Sequence, residues 1–233
     1  MKRLLTFILV SILAAPLMQS CDKSGSEYPT HTVLATVLPY WNEYGFACQL
    51  DNGETMYPGK VRINYKVNEE KAQRAVISFS EINEPIPGFT YNADIFNIVD
   101  VTTKDIEVLR DTQNDTLNDA LKVNAMALSG DYFNVEFSAM IDPYAANQLL
   151  TISLVDNHIN GKPEYDEYYP LELKFKCTPE VSNKAGQTIN TMACFYVGPY
   201  SLDGLGCKGY KITYKDMNNG GEIKEIIIEP NKQ

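Results

Sequence analysis

The residues that could do chemistry in this 233-residue chain form few recognisable groups. The two histidines, His31 and His158, are far apart, and neither has a second ligand at metal-binding spacing. We therefore predict that both are solvated surface residues, and that the chain has no metal site and no cofactor. An alternative is that the oxygens of the loop Asp156–Gly161, with Asp166 and Glu167, hold a hard cation such as calcium, although the spacing is not that of an EF-hand loop.

Motifs for nucleophilic or nucleotide chemistry are also missing from the sequence. It contains no Gly-x-Ser-x-Gly, no phosphate-binding loop and no His-Glu-x-x-His. A carboxylate pair for glycoside hydrolysis leaves no spacing in sequence, and nothing singles out one pair among 30 acidic residues. We predict that the protein is not an enzyme and has no catalytic residues, with a hydrolase kept as a third class of function.

Four of the five cysteines lie in the body of the chain, at Cys48, Cys177, Cys194 and Cys207. Cys177 ends one alternating run and Cys194 lies inside another, which is typical of small core residues. In an oxidising compartment, a disulfide between Cys177 and Cys194 is the alternative.

The N-terminus has the features of an export signal. A basic start, Met1–Arg3, precedes the apolar run Leu4–Met18, which is too short to span a bilayer. Cys21 follows a small residue, as in a bacterial lipobox, so residues 1–20 are predicted to be a lipoprotein signal peptide and Cys21 the lipidated first residue. An ordinary secretory peptide with an unmodified Cys21 is the alternative. Residues 21–31 are then a polar tether.

The charge of the chain restricts its partners. Residues 1–20 contain two cations and no acids, so removal of the leader lowers the formal net charge from −10 to −12. This charge argues against nucleic acid and against a surface lying flat on anionic lipid. We expect attachment through the lipid anchor to an envelope membrane, with the outer membrane preferred and its periplasmic or surface face left open, and a monomeric protein.

Two turns rich in aromatic residues are the candidate recognition surface. They contain Tyr40, Trp41 and Tyr44 in the first turn and Tyr165, Tyr168 and Tyr169 in the second. Exposed aromatic side chains stack on sugars and anchor protein interfaces, so a protein or a glycan is the expected partner. The alternative is that Trp41 closes one end of a barrel.

Period-two alternation dominates the rest of the chain and predicts an all-β protein. The clearest case is Leu128–Phe137, where Phe133, Val135 and Phe137 share one face after a Ser-Gly-Asp turn. Before it, about five short strands in 32–110 predict a five-stranded OB-type β-barrel, with a short helix in Thr103–Leu109 as an alternative.

An acidic stretch divides the predicted domains. Residues 111–119, DTQNDTLND, are nearly free of apolar side chains and are predicted to be a linker. Residues 120–233 contain six or more alternating runs, which predict an antiparallel β-sandwich.

Several of these motifs together resemble a known family. The lipobox is followed by an aromatic segment, the hairpin Leu-Asp-Asn-Gly-Glu-Thr-x-Tyr-Pro, the strand end Phe-Ser-Glu-Ile-Asn-Glu and then Ser-Gly-Asp-Tyr-Phe-Asn-Val-Glu-Phe. This order resembles the NigD-like lipoproteins of the Bacteroidetes over nearly the whole mature chain. The resemblance implies an OB-type barrel followed by a β-sandwich, and a role associated with a bacteriocin or with immunity to one. The segment Cys194–Gly209 departs from it, being richer in Cys and Gly.

A second resemblance concerns modification of the chain. Asp115-Thr116-Leu117 is similar to the Bacteroidetes O-glycosylation motif, which implies a glycan on Thr116. Taken together, we predict a non-enzymatic cell-envelope lipoprotein that binds a macromolecular partner and is related to immunity. A glycan-binding accessory lipoprotein of a polysaccharide uptake system is the alternative.

Overall fold

The computed structural model describes residues 30–40, 42–142, 148–179 and 186–230, and their regular structure is almost entirely β. The predicted signal peptide, most of the tether with Cys21, and Trp41 lie outside these residues. The chain divides into two units: the first contains residues up to 99 except 51–53, which group with the second unit from residue 100 onward.

The first unit is the predicted barrel. Its strands are β1 (Thr30–Pro39), β2 (Phe46–Leu50), β3 (Thr55–Val61), β4 (Gln73–Glu81) and β5 (Tyr91–Asp100). They close in the order β1-β2-β3-β5-β4, with β4 pairing back onto β1 along eight residues of its length. β3 and β5 run parallel, whereas β1 pairs antiparallel with β2 and with β4. The five-stranded barrel is confirmed.

The predicted β2–β3 hairpin at Asn52-Gly53 is confirmed, and Gly53 takes the positive φ (84°) that this turn requires. Pro58-Gly59 does not interrupt the following strand, although both residue types are uncommon inside strands. β3 continues through both residues, with an irregular register between Pro58 and Lys60. Glycine fits at position 59 because it has no Cβ, which would collide there with the side-chain oxygen of Asn92 on β5.

Apolar and polar residues alternate in 61–67, but β3 ends at Val61 and the residues after it form no ladder. Tyr65 and Val67 nevertheless pack against the barrel core. The alternation therefore reflects which side chains are buried, not backbone pairing.

The second unit is a sandwich of two sheets. Its strands are β6 (Thr102–Asp105), β7 (Glu107–Leu109), β8 (Lys122–Ser129), β9 (Tyr132–Ile141), β10 (Leu149–Asn157), β11 (Tyr168–Thr178), β12 (Gln187–Tyr196), β13 (Gly209–Asp216) and β14 (Glu222–Ile228), with a one-turn helix α1 (Leu202–Leu205). One sheet has the order β14-β13-β11-β10-β7 and the other β6-β12-β9-β8. The predicted sandwich is confirmed, although three strand pairs, β7/β10, β11/β13 and β6/β12, are parallel.

The boundary between the units differs from the prediction. Residues 102–109 are neither part of the barrel nor a helix: β6 joins one sandwich sheet and β7 joins the other. The acidic stretch 111–119 is likewise part of the second unit, since the Asp115 carboxylate binds Lys174 and the Asp119 N–H donates to Phe175. Its low apolar content reflects a surface position on the sandwich.

The β8–β9 hairpin at Gly130 is confirmed, with Phe133, Val135 and Phe137 buried in the core between the two sheets. On β8 a register shift between Val123 and Ala125 breaks the simple alternation. Val123, Met126 and Leu128 therefore pack toward the core. A bulge of this kind inserts one residue and moves every later side chain to the other face.

Candidate functional site

A group of polar and aromatic side chains surrounds Asp156, near the end of β10 in the sandwich. Asp156 is 2% exposed. The Tyr169 hydroxyl donates to its Oδ2 at 3.0 Å, and the His158 Nε2 lies 2.8 Å from the same oxygen. A buried carboxylate needs donors to offset the loss of water, and the Tyr169 hydroxyl supplies one to Oδ2, whereas Oδ1 has no partner among the described residues. We call Asp156, His158, Tyr165, Tyr169 and Tyr200 the acid–tyrosine cluster.

The acid–tyrosine cluster joins the loop after β10, strand β11 and the segment before α1. The Tyr165 ring is edge-on to Tyr169, with centroids 4.8 Å apart, and the centroid of the Tyr200 ring lies 5.8 Å from that of Tyr169. The Tyr165 hydroxyl donates to the Leu205 carbonyl at 3.4 Å. The cluster therefore ties the loop after β10 to the segment around α1, both of which lack strand pairing of their own.

The tyrosines of this region are held in their neutral form. Burial, together with the nearby Asp156 carboxylate, raises the pKa of Tyr200 to about 12, and the same causes raise the pKa of Tyr169 well above its usual range. Burial also raises the pKa of Tyr210, whose hydroxyl donates to the Tyr200 carbonyl at 2.7 Å, to about 12. These hydroxyls can donate hydrogen bonds near neutral pH but cannot act as bases. The cluster suits a structural role better than acid–base catalysis.

The second aromatic turn was predicted to be exposed, and this is wrong for Tyr169, which is 1% exposed. Tyr165 also packs against the sandwich core. Tyr168 is partly exposed, and its hydroxyl donates to Glu229 at 2.7 Å. The period-two alternation of β11 explains the difference, because neighbouring residues in a strand point to opposite faces.

The first aromatic turn is closer to the prediction. Tyr40 is 47% exposed and lies edge-on to Phe89. Tyr44 is half-buried against the barrel core. Sequence reasoning missed Asn42, whose Oδ1 accepts the Tyr44 N–H at 3.0 Å and whose Nδ2 donates to the Phe46 carbonyl at 2.7 Å. Asn side chains commonly accept a hydrogen bond from the backbone two residues later in a turn, so an Asn inside this turn could have predicted these contacts. The two aromatic turns belong to different units and are not one continuous site within either unit.

The two histidines differ in exposure. The His31 side chain is 38% exposed, its ring stacks on Phe79 with centroids 5.2 Å apart, and it lies 3.5 Å from Glu81. The His158 side chain is only 21% exposed and contacts the buried Asp156, so it is more buried than predicted. The contact of His31 with Glu81 is a tertiary one, whereas that of His158 is with an acid two residues earlier in the chain.

The calcium alternative gains no support. Over residues 30–40, 42–142, 148–179 and 186–230, no group of three or more His, Cys, Asp or Glu side chains is placed to hold a metal. The loop oxygens serve the protein itself: Asn157 Oδ1 accepts the Ile159 N–H, and Glu167 pairs with Lys208.

The predicted alternative of a Cys177–Cys194 disulfide is wrong. All four described cysteines are free, and the two lie in different sheets, Cys177 on β11 and Cys194 on β12. Burial raises the pKa of Cys177, and it raises that of Cys48 to about 12. Such thiols are poor nucleophiles.

The predicted O-glycosylation residue lies on the surface of the second unit. Thr116 is exposed, while the neighbouring Asp115 carboxylate accepts two hydrogen bonds from the Lys174 ammonium at 2.8 and 2.9 Å. The hydroxyl is accessible to an enzyme, whereas the acid of the motif is engaged by the sandwich.

Comparison with known proteins covers both units. The NigD-like N-terminal OB domain matches residues 34–101, and the NigD-like C-terminal beta sandwich domain matches residues 104–229. No curated protein matches the chain. In the described part of the chain, no helix is both long and apolar enough to cross a membrane.

Several solved structures share the fold. A protein of unknown function from Bacteroides vulgatus is 24% identical with a TM-score of 0.70, covering 88% of this chain and 92% of its own. A NigD-like immunity protein from Bacteroides caccae is 16% identical with a TM-score of 0.61, covering 84% and 91%. A candidate lipoprotein from Bacteroides fragilis is 8% identical with a TM-score of 0.60, covering 88% and 100%. Because the two family domains match most of the chain in the order in which barrel and sandwich occur, the protein belongs to the NigD-like family.

Proposed function

We propose that this protein is a non-enzymatic lipoprotein of the cell envelope that binds a macromolecular partner in a role related to bacteriocin immunity. The observation that carries the proposal is the match of both domains to the NigD-like family, together with the shared fold of the B. caccae protein named as a NigD-like immunity protein. The acid–tyrosine cluster gives no support to catalysis, because the pKa of its Tyr169 is raised and its buried carboxylate accepts a hydrogen bond within the sandwich.

A strain lacking the gene tests the immunity role. We expect it to become more sensitive to the cognate bacteriocin of its own or a neighbouring strain, and we expect the wild-type gene to restore protection. A deletion strain with unchanged sensitivity to a panel of such bacteriocins would contradict the immunity role.

Anchoring is supported by the lipobox-like sequence ending at Cys21 and by the B. fragilis relative named as a candidate lipoprotein. Metabolic labelling with a fatty-acid analogue tests it. We expect Cys21→Ser to lose the label and to leave the outer-membrane fraction. Cys207→Ser, which removes a partly buried thiol of the sandwich, is the matched control and keeps the label. Label retained in Cys21→Ser would rule out the anchor.

Thr116 is proposed as an O-glycosylated residue, supported by its exposure within Asp115-Thr116-Leu117. Intact-mass measurement of protein purified from its native envelope is expected to show a glycan that Thr116→Ala removes. Thr112→Ala, in the same exposed stretch but outside the motif, is the control. Equal masses for the wild type and Thr116→Ala, apart from the substitution, would refute the modification.

The part of the predicted recognition surface that remains exposed is centred on Tyr40. Once a partner is captured, Tyr40→Ala is expected to weaken its binding by about 1–2 kcal/mol, a common range for an exposed aromatic anchor. The glycan-binding alternative gains no support, because Tyr169 is buried and Tyr165 is packed on the core.

A further inference from the structure

A cleft opens on the surface of the barrel beside the turn between β1 and β2. Its volume is ≈ 570 Å³. The residues that line it are Pro39, Tyr40, Asn42, Gly45, Val67 and Glu69. They come from the end of β1, from the turn and from the segment after β3, so the whole cleft belongs to the first unit.

The turn that forms one wall of the cleft is held by its own hydrogen bonds. Asn42 Oδ1 accepts the N–H groups of Tyr44 and Phe46, and Asn42 Nδ2 donates to the Phe46 carbonyl. The Gly45 N–H donates to the Asn42 carbonyl at 3.2 Å, and the Gly45 carbonyl accepts the Tyr40 N–H at 3.0 Å. These contacts fix the wall before a ligand binds. An anion would find these backbone donors already engaged, so the wall does not favour a negatively charged ligand.

Glu69 gives the cleft its charge. The residue is exposed, and none of the ion pairs among the described residues includes it. The lining contains no lysine and no arginine, and Pro39 and Val67 add apolar surface. A carboxylate accepts hydrogen bonds and donates none, and beside apolar surface its charge is less screened than in open water. The local charge therefore favours a cationic group that brings its own donors.

Tyr40 adds an aromatic surface to the same cleft. It is 47% exposed, and its ring lies edge-on to Phe89 with centroids 5.7 Å apart. Phe89 in turn lies 5.3 Å from the ring of Tyr57, and both of these residues are partly exposed. The three rings form a row that begins at the cleft and continues along the barrel surface. Aromatic faces attract cations, and arginine more often than lysine.

We propose that this cleft binds an arginine side chain of a partner polypeptide, whose neighbouring apolar side chains pack on the row of rings. A guanidinium is planar, so it can stack on the Tyr40 ring while its N–H groups donate to the Glu69 carboxylate. A polypeptide fits better than a free cation because the row reaches past Tyr40 to Phe89 and Tyr57, beyond the space that one guanidinium fills. The inference rests on the proposed function for the macromolecular nature of the partner, but not on the immunity role.

The probe is the peptide acetyl-Gly-Leu-Arg-Leu-Gly-amide, added to the purified, ¹⁵N-labelled chain lacking residues 1–20. The control peptide has citrulline in place of arginine, which keeps the shape and the N–H groups of the side chain but removes the charge. We expect the arginine peptide to shift the Gly45 amide resonance with a Kd of about 1 mM, and the citrulline peptide to bind at least about tenfold more weakly. Equal binding of both peptides, or no saturable shift with the arginine peptide up to about 10 mM, would overturn the proposal.

Two pairs of surface variants locate the site. Glu69→Gln removes the charge and is expected to weaken binding of the arginine peptide about fivefold, whereas Glu70→Gln, at an exposed acid outside the lining, stays within about twofold. Tyr40→Leu removes the ring and is expected to weaken binding about fivefold, whereas Tyr40→Phe keeps the ring and stays within about twofold. Equal weakening within either pair would overturn the proposal, because general acidity or the tyrosine hydroxyl would then explain the binding.

Methylguanidinium tests the source of the cation. It is expected to bind at least about fivefold more weakly than the peptide, because it has no side chains to pack on the row of rings. Binding as tight as that of the peptide would assign the cleft to a free cation and overturn the proposal. Failure here is separate from failure of the proposed function, since a deletion strain reports on immunity whether or not arginine is the group recognised.

Discussion

The barrel and the sandwich deal with strand edges in different ways. In the barrel, β1 pairs with both β2 and β4, so the sheet closes on itself and its edges disappear. In the described part of the sandwich, four strands lie at sheet edges: β14, β7, β6 and β8. Lys104 covers a carbonyl of β10, and on the edge strand β14 the Lys224 ammonium lies 3.5 Å from the buried Asp216. The barrel therefore satisfies its strand edges by closure, whereas the sandwich places charged side chains beside some of its edges.

The largest expected effect tests whether each unit depends on its own core. Phe79→Ala removes a 1% exposed ring from the barrel, and Phe133→Ala removes a fully buried ring from the sandwich. Each is expected to lower the free energy of unfolding of its unit by about 3–5 kcal/mol, measured by urea titration with hydrogen exchange resolved by unit. Val99→Ala, at a 53% exposed position, is the control and is expected to cost less than about 0.5 kcal/mol. A loss below about 1 kcal/mol for either ring would contradict the packing described.

Alkaline pH should destabilise the sandwich through its buried tyrosines. The folded-state pKa values of Tyr200 and Tyr210 are raised to about 12, so the unfolded chain loses these protons first, near pH 10. Stability is fully present below about pH 10 and is lost as pH rises toward 12, by about 2–3 kcal/mol for Tyr210 alone.

Tyrosinate absorbance and hydrogen exchange of the sandwich amides, followed together, check this loss. Tyr210→Phe should reduce it, because the hydroxyl whose pKa is raised is no longer present. An alkaline loss of the same size in the wild type and in Tyr210→Phe would contradict the expectation.

A smaller effect tests the acid–tyrosine cluster. Tyr169→Phe removes the hydroxyl that donates to the buried Asp156, and it is expected to cost about 1–3 kcal/mol of sandwich stability. Tyr168→Phe is the matched control, because its hydroxyl pairs with Glu229 at the surface, and a much smaller loss is expected. Equal losses in thermal unfolding would show that burial of the acid does not decide the cost.

The smallest effect concerns an ion pair of the barrel. The Arg62 guanidinium donates to Asp94 at 2.8 Å, and this hydrogen bond lowers the pKa of Asp94. A lowered pKa means that the contribution is present above about pH 4 and is lost as pH falls through the folded-state value. Because the Arg62 side chain is 55% exposed, solvent screens the pair, and Arg62→Gln should shift acid unfolding of the barrel only slightly. We expect the wild type and Arg62→Gln to unfold at nearly the same acid pH, and at the same pH in high salt. A large difference between the two midpoints would contradict screening of the pair.

Local sequence signals predicted much of the fold. The turns at Gly53 and Gly130 were found because a hairpin needs residues that tolerate positive φ. The inward face of β9 followed from its alternation. Sequence reasoning failed where one residue shifts the register of a strand against its neighbour. The irregularity after Pro58 in β3 and the bulge after Val123 in β8 were not predicted from the residues around them.

The candidate site was less predictable than the fold. Asp156 and His158 were seen only as loop residues, and Tyr169 as an exposed aromatic residue, because no sequence spacing reveals that β10, β11 and the segment near α1 meet. The pairing of β7 with residues 155–157 of β10 had no sequence signal either, since it depends on where another strand ends.

The sequence by itself determined the all-β class, the barrel followed by a sandwich, the main hairpins and the family resemblance. These follow from short-range rules on alternation and turn geometry, which act within a few residues. The tertiary structure decided where 102–109 belongs, which tyrosines are buried, and that Cys177 and Cys194 do not pair. Those outcomes depend on long-range pairing between strands, which is set by the packing of the whole unit and not by any local stretch of chain.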